Sequence, residues 1–126
     1  MTAAMGLVLF GHGARDPRWA DTMKALAARV RSLRPEVALE LAFLEFMQPN
    51  LADAVAALVA RGVRSIWVAP VFLAAGGHVL RDLPDQLAEL SLLHDDLEIQ
   101  IGTALGGAPP VIDAMAQVCL DALVRP

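Results

Sequence analysis

Two histidines lie in glycine-rich stretches that directly follow apolar runs. His12 stands between two glycines in LVLFGHGARDPRW (residues 7–19), and His78 follows two glycines in VAPVFLAAGGHVLRDLP (residues 68–84). Glu45 follows a third apolar run. Neutral imidazole is a ligand for divalent Co, Ni, Fe and Zn, and it also exchanges protons near neutral pH. Two imidazoles and a carboxylate could therefore bind a divalent metal or move protons, provided that the fold brings them together.

Four apolar runs alternate with four stretches of helical periodicity, which indicates a βαβα order. The runs predict strands at residues 5–10, 37–44, 65–72 and 97–103, the last an edge strand because it alternates apolar and polar residues. Helices are predicted at residues 19–34, from the Asn50 cap to Gly62, from Pro84 onward and at residues 110–124. This order predicts one α/β domain over residues 1–126, with a four-stranded parallel sheet in the order 2-1-3-4 flanked by helices, as in half of a flavodoxin-like fold.

The predicted strand order places the unusual residues on one rim of the sheet. Ligands of open parallel sheets bind at the carboxyl ends of the strands, where His12, Glu45 and the loop of His78 are expected. Considered singly, each histidine could be a loop residue satisfied by backbone groups, and Glu45 a solvated carboxylate. Their shared rim favours a site. His94, beside two aspartates at the end of the third helix, is interpreted as structural or solvated.

Composition excludes several classes of protein. The chain has 126 residues, of which 56% are hydrophobic and 19% charged, so disorder is not expected. Its formal net charge is −4 and it has no Lys/Arg block, which argues against nucleic-acid binding and against an anionic membrane surface. No signal peptide and no apolar run of about 20 residues is present, so we predict a cytoplasmic protein without membrane spans. The apolar excess predicts a buried subunit interface.

The single cysteine excludes a disulfide framework and a cysteine-based zinc site. Cys119 falls on the apolar stripe of the last helix, with Val111, Met115, Val118 and Ala122, and this stripe is predicted to be buried in the core. No dinucleotide fingerprint, phosphate-binding loop or HExxH motif occurs.

At this point the motifs match a known family. GHGARDPR, AFLEFMQPNLADAV, VAPVFLAAGGHVLRDLP and GTALGG resemble, in order and spacing, the small single-domain sirohydrochlorin chelatases of the CbiX type, which are class II tetrapyrrole chelatases. The resemblance covers essentially the whole chain and implies a chelatase-like half-fold. It implies insertion of a divalent metal, Co²⁺ in preference to Fe²⁺ or Ni²⁺, into sirohydrochlorin for cobalamin- or sirohaem-type biosynthesis. No organic cofactor is expected, since the metal ion is a substrate.

The resemblance also implies roles for individual residues. The family's metal-binding histidines fall on His12 and His78, and its acidic residue after the second strand falls on Glu45, which makes these three the expected catalytic residues. Ala14 stands where the family often has serine, so any hydroxyl hydrogen bond in that turn is lost.

Substrate contacts are expected around the same rim. Arg15, Arg18 and Arg81 are candidate clamps for the carboxylates of the macrocycle, although each could equally be a solvated loop arginine. Gly76 and Gly77 would let the backbone approach a large flat ligand. The two nearby aromatic residues, Trp19 and Phe72, are expected to pack in the core rather than to stack on ligand.

Two other functions remain open at this stage. A histidine phosphatase or phosphomutase would carry R-H-G after the first strand, but Gly11 occupies the arginine position. A non-catalytic metal-binding or tetrapyrrole-binding module would bind without accelerating insertion. Because one rim is too shallow to enclose a macrocycle, and because longer family members carry two such domains, we predict a two-fold homodimer with the tetrapyrrole in the cleft between its rims.

Overall fold

Four parallel strands form one sheet in the order β2-β1-β3-β4, which confirms the predicted strand order. The computed structural model describes residues 5–74 and 81–124. The strands are β1 (Met5–Gly11), β2 (Ala38–Phe43), β3 (Ser65–Pro70) and β4 (Glu98–Ile101). The helices are α1 (Asp21–Leu33), α2 (Leu51–Ala60), α3 (Leu83–Leu93) and α4 (Pro109–Val124), with short 3-10 turns at Pro17–Ala20 and Leu105–Gly107. The predicted α/β class is therefore confirmed.

β1 lies at the centre of the sheet, because it pairs with β2 on one side and with β3 on the other. Its residues Val8 to Phe10 are buried, as expected for a strand covered on both faces. β4 pairs only with β3, at four positions, and is the predicted edge strand.

Helices cover the two faces of the sheet unequally. On one face, α2 and α3 pack on the alternate strand residues represented by Val8, Phe10 and Val68. On the other face, the side chains of α1 pack on Leu9, Leu39 and their neighbours from the first three strands. The carboxyl ends of the four parallel strands form one rim of the sheet, where the candidate residues are predicted to lie.

Local signals at α2 and α3 agree with the structure. The Asn50 side chain accepts a hydrogen bond from the backbone N–H of Asp53 at 2.8 Å, which is the predicted cap of α2. Gly62 follows the helix with a φ of +87°, a conformation that glycine adopts without strain. Pro84 stands in the first turn of α3, as predicted.

The expectation that the last helix is buried is wrong. No residue of α4 is buried, Val118 is 70% exposed, and Cys119 is exposed rather than in the core. The apolar pattern is present, but within the described part of the chain this helix packs mainly on the Leu105–Gly107 turn, which buries none of its residues. Trp19, also expected in the core, is 73% exposed in the turn before α1. None of the helices in the described ranges is long and apolar enough to cross a membrane.

Candidate functional site at the carboxyl rim of the sheet

His12 and Glu45 meet directly at the rim, as their positions after β1 and β2 predicted. The pairing of the two strands continues past their ends: the Leu44 N–H donates to the Gly11 carbonyl at 2.9 Å, and the Glu45 N–H donates to the His12 carbonyl at 3.1 Å. This backbone ladder holds the two side chains side by side. Nε2 of His12 lies 3.0 Å from Oε1 of Glu45, and both side chains are about half exposed. The pair is therefore fixed by the backbone and open to a ligand.

Gly13 allows this close approach. Its φ is +89°, and a Cβ at this position would overlap the carbonyl oxygen of Glu45. Any other residue would therefore be strained and would also push the β2 loop away from His12. The second glycine of GHG is thus required by the geometry of the pair.

Phe72 supports the imidazole from the side of β3. Its ring meets the His12 ring edge-on, with centroids 6.5 Å apart at 82°, and meets Phe10 in the same manner at 6.1 Å. The adjacent Val71 N–H donates to the Phe10 carbonyl at 2.8 Å, which ties this segment to β1. Phe72 is half-buried against the core, so its expected packing role is met while it also orients His12.

Arg15 and Phe46 form a second feature beside the pair. The Arg15 guanidinium lies 4.8 Å above the centre of the Phe46 ring, a cation–π contact, and Phe46 is 56% exposed. With Ala14, Lys24 and Met47 they border a cleft of about 250 Å³. The cleft therefore presents positive charge and an aromatic face next to the rim. Phe46 was not predicted, because nothing in FLEFM separates it from ordinary apolar residues.

Arg18, a predicted substrate contact, forms an ion pair with Asp16. Its Nη2 lies 2.6 Å from Oδ2 of Asp16, whose carboxylate also accepts the Arg18 backbone N–H and caps the turn before α1. Hydrogen bonding to Arg18 lowers the pKa of Asp16, and the same bond raises the pKa of Arg18. Both groups therefore stay charged at neutral and mildly acidic pH, and the pair supports the loop that follows His12.

The remaining candidates lie around or outside this centre. Gly76, Gly77 and His78 fall outside the described residues, and Arg81 is exposed just before α3. The segment that leads to them follows β3 and passes Phe72, whose ring lies next to His12. The turn after β4 lies there as well, since the N–H of Gly106 donates to the Phe72 carbonyl at 2.9 Å. The loops after all four strands therefore contribute to one rim.

Two further observations show which of the candidate groups can belong to the site. His94 ends α3 directly before β4, at the opposite edge of the sheet from the rim, and therefore lies away from His12 and Glu45. Within residues 5–74 and 81–124, no three His, Cys, Asp or Glu side chains form a group able to hold a metal ion. The described part of the chain thus supplies two candidate groups, His12 and Glu45.

The pair has a definite chemical capacity. A neutral His12 that donates its Nε2 proton to Glu45 keeps the lone pair of Nδ1 for a metal ion, and the carboxylate then fixes the orientation of the ring. Glu45 can in turn accept a proton from a bound ligand. The arrangement therefore suits weak metal binding coupled to proton removal.

Comparison with known proteins places the chain in a family. The family model named CbiX matches residues 6–122. A sirohydrochlorin cobaltochelatase of Sulfolobus acidocaldarius is 32% identical over 119 residues, which cover 94% of this chain and 93% of that protein. A solved structure from Marinobacter aquaeolei, described as a putative cobalamin biosynthesis CbiX protein, superimposes with a TM-score of 0.83 at 28% identity and covers 94% of each chain.

A longer protein shares the fold. The sirohydrochlorin chelatase SirB from Bacillus subtilis subspecies spizizenii, solved in complex with cobalt, superimposes with a TM-score of 0.79 at 23% identity. The match covers 94% of this chain but 50% of SirB. With a family match over nearly its whole length, a relative 32% identical over most of both chains, and the same fold, this chain belongs to the CbiX family.

Proposed function

We propose that this protein inserts a divalent metal ion into sirohydrochlorin. The observation that carries the proposal is the His12–Glu45 pair, which is held by backbone pairing and by Gly13 and which falls where the resemblance places the family's metal-binding and acidic residues. Relatives that match this chain are named sirohydrochlorin cobaltochelatases. The residues and the family therefore point to the same reaction.

In the proposed mechanism, His12 and His78 hold the incoming ion. Two imidazoles bind a divalent ion less tightly than a closed four-ligand site, so the ion can pass to the macrocycle. As it enters, two pyrrole N–H groups lose their protons. Glu45 accepts one of them, because its carboxylate lies within 3.0 Å of the ring that presents the ion. The second proton leaves through the other imidazole once that ring has released the metal.

Substrate binding is assigned to the cations and glycines of the rim. The chain has a formal net charge of −4, so a carboxylate-rich macrocycle needs local positive charge. We assign Arg15, above Phe46, to a substrate carboxylate, and the Phe46 face to the macrocycle edge. Arg81, Gly76 and Gly77 are assigned to the same ligand by the resemblance.

Cobalt is the proposed metal. Imidazole and carboxylate ligands accept cobalt, iron and nickel alike, so the ligand chemistry alone does not select one of them. The choice rests on the relatives that are named cobaltochelatases. Fe²⁺ and Ni²⁺ are the competing substrates in the test below.

A two-fold homodimer is the proposed assembly. SirB is about twice as long as this chain, which covers 50% of it. Two copies of this chain facing each other across their rims would give a cleft wide enough for a tetrapyrrole. A cytoplasmic location and the absence of nucleic-acid or membrane partners stay predictions from the sequence.

The proposal is tested by anaerobic insertion kinetics. The absorbance change of sirohydrochlorin is followed with Co²⁺, Fe²⁺ or Ni²⁺, and the spontaneous rate is subtracted. We expect His12→Ala and Glu45→Gln each to lower kcat/KM by about 100-fold or more, because one removes a ligand and the other a proton acceptor. His94→Ala, on the opposite edge of the sheet, should keep wild-type activity.

Other outcomes separate the alternatives. Full activity of His12→Ala would contradict the proposal. Tight binding of metal or tetrapyrrole without acceleration over the blank would make the protein a binding module. Turnover of p-nitrophenyl phosphate that is lost in His12→Ala would make it a phosphatase.

A further inference from the structure

The GTALGG motif (residues 102–107) follows β4, and its last two glycines have different surroundings. The N–H of Gly106 donates to the carbonyl of Phe72 at 2.9 Å, so the turn after β4 meets the segment after β3 backbone to backbone. A Cβ on Gly106 would overlap the carbonyl group of Leu73. Because a backbone group cannot rotate away as a flexible side chain can, any other residue at position 106 would displace Leu73.

Gly107 shows that this requirement comes from the contact and not from the backbone conformation. Both glycines belong to the same turn, and neither has the positive φ that would itself favour glycine. No atom lies within 4 Å of a Cβ at position 107. An alanine therefore fits at position 107, whereas at position 106 it forces two backbone segments apart. The two positions form a matched pair for experiment.

The turn is fixed more firmly than the segment that it meets. Ala104 is 3% exposed, and Leu105 packs against the apolar layer on the α1 side of the sheet. Leu73 is 72% exposed, so few contacts oppose its displacement. The preceding residue, Val71, is held to β1 by the hydrogen bond that its N–H donates. A side chain at position 106 would therefore move the segment at Phe72 and Leu73 rather than the turn.

Phe72 carries this displacement to the site. Its ring stands edge-on to the His12 ring, with the two centroids 6.5 Å apart. The Phe72 carbonyl belongs to the peptide group that joins this residue to Leu73, and the same carbonyl accepts the hydrogen bond from Gly106. A shift of Leu73 therefore moves the Phe72 backbone and takes the ring away from its place beside the imidazole.

We propose that Gly106 is a positioning residue, which keeps the Phe72 ring against the imidazole of His12 and touches neither the metal ion nor the macrocycle. Gly13 has the corresponding role on the other side of His12, where it admits the backbone of Glu45. The imidazole is thus held between two loops, each of which comes close because a glycine lacks a Cβ. The importance of this contact for catalysis rests on the proposed function, in which His12 presents the ion.

Insertion kinetics of Gly106→Ala and Gly107→Ala test this role. A misplaced His12 binds the ion poorly, so Gly106→Ala should raise the KM for Co²⁺ about 10-fold or more, since small displacements are costly at a reacting centre. A variant that merely loses folded protein would lower kcat and leave KM unchanged. Gly107→Ala should keep both constants. A Gly106→Ala enzyme with the wild-type KM would overturn the proposal.

Nuclear magnetic resonance of the metal-free protein tests the geometry without catalysis. The ring-proton signals of His12, assigned with His12→Ala, should shift in Gly106→Ala and in Phe72→Leu, because the ring current of Phe72 acts on them. They should stay in place in Gly107→Ala, and the His94 signals should stay in all variants. Unmoved His12 signals in Gly106→Ala would overturn the proposal. An inactive wild type would contradict the proposed function alone, since the spectra still decide whether Gly106 positions the imidazole.

A double variant shows whether the effect passes through Phe72. In a Phe72→Leu background, Gly106→Ala should raise the KM for Co²⁺ by less than it does in the wild type, because the ring through which it acts is absent. Fully additive effects would contradict this route.

The wild type provides a test that needs no substitution and therefore holds even if Gly106→Ala folds poorly. Nuclear Overhauser effects should connect the ring protons of His12 and Phe72. The Gly106 amide should exchange slowly with solvent, because its N–H is bonded to the Phe72 carbonyl. The absence of either signal would overturn the proposal.

Discussion

At the scale of single residues, the site depends on how close two loops can come. The His12–Glu45 pair exists because the backbone of Glu45 lies directly against Gly13. Gly62 provides a matched comparison, since its φ is +87° but no atom lies within 4 Å of a Cβ built there. An alanine substitution at each of these two glycines therefore separates the energetic cost of the backbone conformation from the cost of the close approach to Glu45.

We expect Gly62→Ala to lower the free energy of unfolding by about 1 kcal/mol, the cost of the left-handed backbone conformation alone. Gly13→Ala should cost clearly more and should also reduce metal insertion, because Glu45 must move away from His12. Urea denaturation and insertion assays on the two variants check this. Equal losses of stability, with activity kept in Gly13→Ala, would mean that the contact with Glu45 does not position the pair.

Single residues also show which parts of the site could be predicted from the sequence and which could not. His12 and Glu45 could be placed from the ends of two apolar runs, because parallel strands end on one rim. The stacking of Arg15 on Phe46 could not, since Phe46 has a φ of +66° in an irregular loop with no periodicity to reveal its direction. Trp19 was placed at the start of the predicted helix at residues 19–34, but it lies in the 3-10 turn before α1, which does not follow the α-helical spacing.

At the scale of elements, local capping and burial agree along most of the chain. The cap at Asn50 starts α2, whose buried side chains Leu51, Val55 and Leu58 belong to the larger apolar layer. This helix begins just after the Glu45 loop, so its start also fixes one end of that loop.

Asn50→Ala should lower the free energy of unfolding by about 1 kcal/mol, because the N–H of Asp53 loses its acceptor. Asn50→Asp keeps an acceptor and should stay near wild type. Thermal or urea unfolding measures both variants. A wild-type stability for Asn50→Ala would show that the side chain does not cap α2.

The burial of a helix or strand was predicted correctly where its apolar face packs against another part of the same chain. The strands, α2 and α3 each have an apolar face that meets another face of the same molecule. α4 has the apolar pattern but buries no residue within the described chain, so periodicity gave its existence correctly and its burial wrongly. The pattern of an interface helix is the same as the pattern of a core helix.

At the scale of the whole molecule, the proposed homodimer would bring together the two rims that face the substrate. Dilution below the dimer dissociation constant should therefore reduce insertion activity per chain, and kinetics over a range of enzyme concentrations would measure this. Activity per chain that stays constant in a demonstrably monomeric sample would contradict the shared cleft.

The exposed indole of Trp67 has an optical consequence. The chain has two tryptophans, and in a Trp19→Phe background Trp67 is the only one left to emit. Its ring is 44% exposed in the single chain, so an assembly that covers this side of the sheet would remove it from water. A shift of the emission maximum to shorter wavelength as protein concentration rises would report such an assembly, and an unchanged maximum would show that this side of the sheet stays in water. The intrinsic fluorescence of Trp67 can therefore report assembly of the unlabelled protein.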